Sequence, residues 1–181
     1  MSIMKELEHW GLRPLSIKGL TYIAILMAIE IVLNKFQFQT SYLEIGFGFI
    51  AVAFIAWWFG PFWSTIVAIL VDVLTSIING YGFFIGFTFS GIIAALIFSF
   101  AFYNQEKVSW LRVIVAVVLI TLIVNIGLNT LWISVMAHTS FFYYLPLRLV
   151  NNIIMIPIQI IILYILMNNK TIQHFKPNVF K

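Results

Sequence analysis

The sequence predicts an all-α membrane protein: a six-transmembrane-helix bundle forming a single integral membrane domain over residues 1–181, with both termini cytoplasmic. Three observations lead to that class. Hydrophobic residues make up 62% of the chain and charged residues only 9%, whereas a soluble domain carries about 25% charged residues. Long apolar runs recur between short polar breaks. Lysine and arginine gather at alternate breaks.

A helix crossing the hydrocarbon core needs roughly 20 mostly apolar residues. Six runs approach that length, at about 17–34, 43–59, 62–78, 83–103, 110–136 and 142–167. The first follows the mixed polar segment Met1 to Pro14, which lacks the apolar core and small-residue cleavage site of a removable signal peptide. Gly60-Pro61 separates the second from the third, and Asn79-Gly80-Tyr81-Gly82 is a turn signal before the fourth. Asn104-Gln105-Glu106-Lys107 separates the fourth from the fifth. Barrel strands would alternate polar and apolar residues. These runs are apolar on both parities, which favours helices.

Loop charge sets the orientation. With six crossings, Lys5, Arg13, Lys18, Lys107, Arg112, Lys170, Lys176 and Lys181 share one side, and only Lys35 and Arg148 lie on the other. The eight mark the cytoplasm. Trp57, Trp58, Trp63 and Trp110 then fall at the cytoplasmic interface, where an aromatic belt is expected.

Polar groups at membrane depth are costly and mark functional sites or buried pairs. In the third span Asp72, Thr75, Ser76 and Asn79 share a helix face. Asn125, Asn129 and Trp132 do so in the fifth, and Arg148, Asn152 and Gln159 in the sixth. The fourth opens with Tyr81, Phe87, Thr88 and Ser90 at the same level. Together they predict a cavity in the outer half of the bundle, suited to a polar aromatic small molecule. Taken singly, each has a plainer reading: Asn125 and Asn152 as interhelical hydrogen bonds, Trp132 as packing, Arg148 snorkelling to headgroups. Glu30 and Glu44 flank the first outer loop and read as solvated or capping residues, and His138 as an exposed loop residue.

Several classes are excluded or disfavoured. The chain has no cysteine, which rules out disulfides and thiolate sites. It has no phosphate-binding loop, no His-Glu-x-x-His and no Gly-x-Ser-x-Gly. An enzyme is therefore not expected, nor a cofactor or metal, and the chain is not expected to hydrolyse ATP itself. The basic residues lie between apolar spans rather than on one face, so no nucleic-acid partner is expected. Ala24 and Ala28 are small residues four apart on the first span, a spacing that admits a close helix neighbour or simply internal packing.

The pattern resembles the substrate-binding S components of energy-coupling factor (ECF) vitamin transporters. The likeness covers nearly the whole chain: small size, six spans, and Ala24-xxx-Ala28 on the first helix. It is most similar to the folate-specific members, through Gly127-Leu128-Asn129-Thr130-Leu131-Trp132, Gly86-Phe87-Thr88-Phe89-Ser90, Pro146-Leu147-Arg148 and Pro157-Ile158. The resemblance implies a multi-pass protein of a prokaryotic cell membrane that captures vitamin from outside. A transmembrane coupling subunit and two cytoplasmic ATPases would drive release inward. It implies that Ala24 and Ala28 contact the coupling subunit and that the loop from Lys35 to Tyr42 is a lid.

Folate chemistry fits the polar set. A carboxylate such as Asp72 accepts from the amino edge of a pterin. Trp132, Tyr81 and Phe87 offer aromatic contact to the benzoyl ring. Arg148 offers a planar fork to a glutamate carboxylate, Lys35 meets the other, and Asn129 supplies amide hydrogen bonds. The alternatives are an S component for pantothenate, pyridoxine or thiamine, or a non-transport assembly partner whose polar residues join helices.

Overall fold

The computed structural model describes residues 10–35, 38–39, 44–80, 82–174 and 179–180. Tyr81, Lys5, Lys176, Lys181 and much of the expected lid lie outside them. In chain order the elements are α1 (Ile17–Lys35), β1 (Phe38–Gln39), β2 (Glu44–Ile45), α2 (Gly48–Asn79), α3 (Ile85–Phe102), α4 (Trp110–Leu119), a π-helical stretch (Ile120–Leu128), α5 (Asn129–Met136), α6 (Phe141–Asn168) and α7 (Lys170–His174). Among the described residues, five continuous helical segments are long and apolar enough to cross a membrane. Many large apolar side chains point outward, Ile17, Ile85 and Ile77 among them, as lipid-facing residues do.

The second and third expected spans form the 32 residues of α2, but Gly60 within it is non-helical (φ 78, ψ −178). The chain reverses there. Val52 and Thr75 would lie about 35 Å apart on a straight helix, yet they line one cavity. The arms 48–59 and 61–79 therefore run antiparallel. The left-handed φ suits glycine, and Pro61 sits at the first position of the second arm, where a missing N–H costs nothing. The first arm is about 18 Å long, shorter than the expected span of 43–59, because a short antiparallel hairpin pairing Phe38 with Ile45 and Gln39 with Glu44 occupies the chain before it.

The π-helical stretch divides the fifth span. Its wider turn closes hydrogen bonds to residue i+5, as when the Asn129 N–H reaches the Val124 carbonyl. One face of this turn then carries Ile120, Val124, Asn125 and Asn129.

The two ends of the bundle differ. At one end the described termini meet: Ser16 donates through its N–H and hydroxyl to the Val179 carbonyl at 2.9 and 3.2 Å. Trp63 Nε1 donates to the Arg13 carbonyl, and Trp57 Nε1 to that of Gln105 at 2.8 Å. An apolar core of Trp57, Phe98, Phe102, Val113, Val117, Leu163 and Met167 fills this end. A second cluster of Ile23, Ile55, Phe59, Val67, Val71 and Val179 adjoins it. Such close packing of apolar side chains seals the end to polar solutes. The other end, which carries the hairpin and the turns at Gly80 and Ala137, holds the cavities.

Candidate ligand-binding cavity

A cavity of about 510 Å³ is walled by α1, both arms of α2, α3, the π-helical stretch and α6. A smaller one of about 170 Å³ runs deeper along α1 and α2, and a third of about 460 Å³ opens towards Gly82, Phe84, Met136 and Ala137. All three share Asp72, Thr75 and Phe87, so they are lobes of one space. The volume falls in the range of small-molecule sites.

The α2 face expected from the sequence is assembled: Asp72, Thr75 and Asn79 line the main lobe and Ser76 the third. Asp72 Oδ2 accepts from the Thr88 hydroxyl at 2.5 Å, a bond that fixes the carboxylate from α3. Thr88 itself is buried. Across the space stand Asn125, Asn129 and, from α6, Gln159. Asn129 Oδ1 and Thr75 Oγ1 are buried and have no hydrogen-bond partner among the described residues. Buried polar atoms are normally satisfied, so an unpaired pair in a cavity wall invites a ligand that can meet them.

Other expected residues meet the lining from behind. Trp132 stacks its indole over Gly86 and near Phe84, with ring centroids 5.9 Å apart. Its Nε1 donates to Ser90 Oγ at 3.0 Å, and Ser90 lines the main lobe. Arg148 Nη1 donates to the Asn125 carbonyl at 3.2 Å, which also accepts from the Thr130 hydroxyl. Asn152, buried one turn on, donates to the Arg148 carbonyl at 2.8 Å. The Arg148 and Asn152 pair thus braces the π-helical wall. Lys35 ends α1 and is exposed beside the cavity residue Asn34. Ala24 and Ala28 are both exposed on α1.

The expectation that Glu30 is solvated is overturned. Glu30 is only 7% exposed and lines both the main and the deep lobes. Asn34, one turn on, lines them too. Both were missed because α1 is apolar on every side and offers no amphipathic stripe to mark its inner face. The available signal was depth: Glu30 lies more than a turn inside the first apolar run, where an acid is not free to stay hydrated. Among the described residues no group of three His, Asp or Glu side chains is arranged to hold a metal ion.

Comparison with known proteins agrees with this architecture. A family model described as "ECF transporter, substrate-specific component" matches residues 18–167. The folate transporter FolT of Leuconostoc mesenteroides subsp. mesenteroides is 42% identical over 177 residues, covering 94% of this chain and 96% of the relative. FolT of Clostridium novyi is 41% identical over 145 residues, covering 79% and 84%. A crystal structure of FolT bound with folic acid superposes with a TM-score of 0.77 at 34% identity, over 84% of this chain and 94% of that one. The chain belongs to the family of substrate-specific components of ECF transporters.

Proposed function

We infer that this chain is the folate-binding S component of an ECF-type importer, capturing the vitamin from outside and delivering it through an ATP-driven module. The observation that carries the reading is a polar cavity at one end of a chain similar to a FolT bound with folic acid. The family consists of substrate-specific transporter components, so the chain's work is recognition rather than catalysis. It needs no cofactor of its own, and ATP is consumed by two partner ATPases working through a transmembrane coupling subunit.

The membrane is the cell membrane of a prokaryote, crossed six times with both termini cytoplasmic. Loop charge supports that orientation. It turns the packed apolar end inward and the cavity outward. The hairpin segment, which joins α1 to the cavity residue Gly46, is the lid. The exposed Ala24 and Ala28 are where the coupling subunit docks.

Within the cavity we assign Asp72, held by Thr88, to the pterin edge and Phe87 to ring contact, with Trp132 behind the lining; Tyr81, expected as a further ring contact, lies outside the described residues. Asn129 and Asn125 supply amide and carbonyl bonds. Arg148, with Asn152 bracing its helix turn, takes one carboxylate of the glutamate tail, and Lys35 at the rim takes the other. Purification followed by denaturing extraction and mass spectrometry tests the reading. Folate recovered in stoichiometric amount supports it. Pantothenate, pyridoxine or thiamine in its place would keep the class and reject the ligand.

A further inference from the structure

We propose that Thr130 is a positioning residue for ligand recognition: its hydroxyl holds the π register of the fifth span, and that register turns Asn129 into the cavity. The recognition half of the proposal rests on the folate reading above. Ile120 and Asn129 are nine residues apart. At about 3.6 residues per turn that separation is roughly two and a half turns, which sets the two on opposite faces of an α-helix. Both nevertheless line the main lobe. They do so because Ile120–Leu128 is π-helical: bonds that close to residue i+5 widen the turn, and the same separation becomes roughly two turns.

A π-helix is rare, so this one needs a tie that an α-helix would not satisfy. Thr130 supplies it. The residue is fully buried, and its Oγ1 donates to the Asn125 carbonyl at 3.2 Å. In an α-helix a threonine hydroxyl reaches the carbonyl three or four residues back. Thr130 reaches five back, repeating in its side chain the register of the backbone bond from the Asn129 N–H to the Val124 carbonyl. Arg148 Nη1 donates to the same Asn125 carbonyl from α6. The turn is also tight inside: a Cβ on Gly127 would come within 3.2 Å of the Leu122 carbonyl oxygen. What the register delivers is Asn129 Oδ1, buried and without a hydrogen-bond partner among the described residues. A ligand N–H that meets this oxygen removes the cost of its burial. In an α register the side chain would face away from Ile120 and out of the lobe.

Thiol labelling and ligand titration test the proposal together, on purified, ligand-stripped protein. The chain has no native cysteine, so Asn129→Cys reports which way position 129 faces. A small polar thiol reagent should modify it through the cavity. Adding Thr130→Val, which keeps the shape and removes the hydroxyl, should slow that labelling by about tenfold. Adding Thr130→Ser, which keeps the hydroxyl, should restore it. A general fold defect exposes position 129 and speeds labelling, so slowing separates the register from mere damage. In titration, Thr130→Val alone should weaken folic acid by about tenfold, and Thr130→Ser should stay within about threefold of wild type. Labelling at an unchanged or faster rate in the Thr130→Val background would overturn the proposal. So would a folic acid affinity within about twofold of wild type in Thr130→Val, or a Thr130→Ser variant as impaired as Thr130→Val. Wild type that binds no folic acid fails a different claim, the folate reading itself, and the labelling contrast still decides the register.

Discussion

The seat of Trp132 allows a sharp test at Gly86. A Cβ added there would lie 2.6 Å from Cδ2 and 2.9 Å from Cε2 of the Trp132 indole, and against the Phe84 ring as well. Carbon atoms rest at about 3.5–4.0 Å, so Gly86→Ala must push the indole outward by about 1 Å. That displacement carries Nε1 away from Ser90 Oγ, now 3.0 Å distant, and beyond hydrogen-bonding range. Overpacking costs about 1–3 kcal/mol, and the lost hydrogen bond about 0.5–1.5 kcal/mol. The better helix propensity of alanine returns at most about 1 kcal/mol. A net loss of about 1–3 kcal/mol in stability is expected. Folic acid affinity should fall about tenfold, since the indole holds Ser90, which lines the cavity. Thermal unfolding in detergent and a fluorescence titration measure the two effects. Gly91 on the same helix is the control, because a Cβ there meets only Ala68 Cβ at 3.8 Å, and Gly91→Ala should unfold no earlier than wild type. If Gly86→Ala matched wild type in both measurements, the indole could not be seated on Gly86.

Other consequences can be checked alongside it. Thr88→Val removes the donor that orients Asp72 and should weaken folic acid by about 10–100-fold in a binding titration, with little change in unfolding temperature. Gly60→Ala forces a left-handed φ on alanine and places its Cβ 2.8 Å from the Tyr103 ring, so it should destabilise by about 2 kcal/mol or more in thermal unfolding. The chain lacks native cysteine, so Glu106→Cys and Thr139→Cys report orientation cleanly. An impermeant thiol reagent on intact cells should label position 139 and spare position 106, and the reverse would invert the bundle. Ala24→Trp or Ala28→Trp should leave folic acid binding intact and abolish ATP-driven uptake. Full uptake would remove these exposed alanines from the coupling interface.

Much of this was legible in the amino-acid sequence, and the reasons are physical. Apolar runs must pair their backbone groups internally in lipid, so run length and polar breaks fixed the helices to within a few residues. Gly60-Pro61 marked the reversal between the arms of α2 because its backbone needs are specific to those two residues. The Asp72, Thr75 and Asn79 face was readable because helical spacing alone aligns it. The hairpin at Phe38 and Ile45 was not, since two residues per strand leave no alternation to detect. Nor was the π-helical stretch: Ile120–Leu128, which packs against α3 and α6, reads as any apolar helix. The Trp132–Ser90 and Arg148–Asn125 bonds join distant positions, which one sequence does not pair. Glu30 was misread because its helix has no polar stripe to point inward.

The central claim is that the polar cavity between α1, α2, α3, the π-helical stretch and α6 is a folate site. Equilibrium titration of the purified, ligand-stripped protein with folic acid tests it most directly, with pantothenate, pyridoxine and thiamine run as competitors. The account predicts one saturable site per chain, occupied by folic acid at a submicromolar dissociation constant, below about 10⁻⁶ M, and undisturbed by excess of the other three vitamins. No saturable binding of folic acid, or its displacement by one of those competitors at equal concentration, would contradict it.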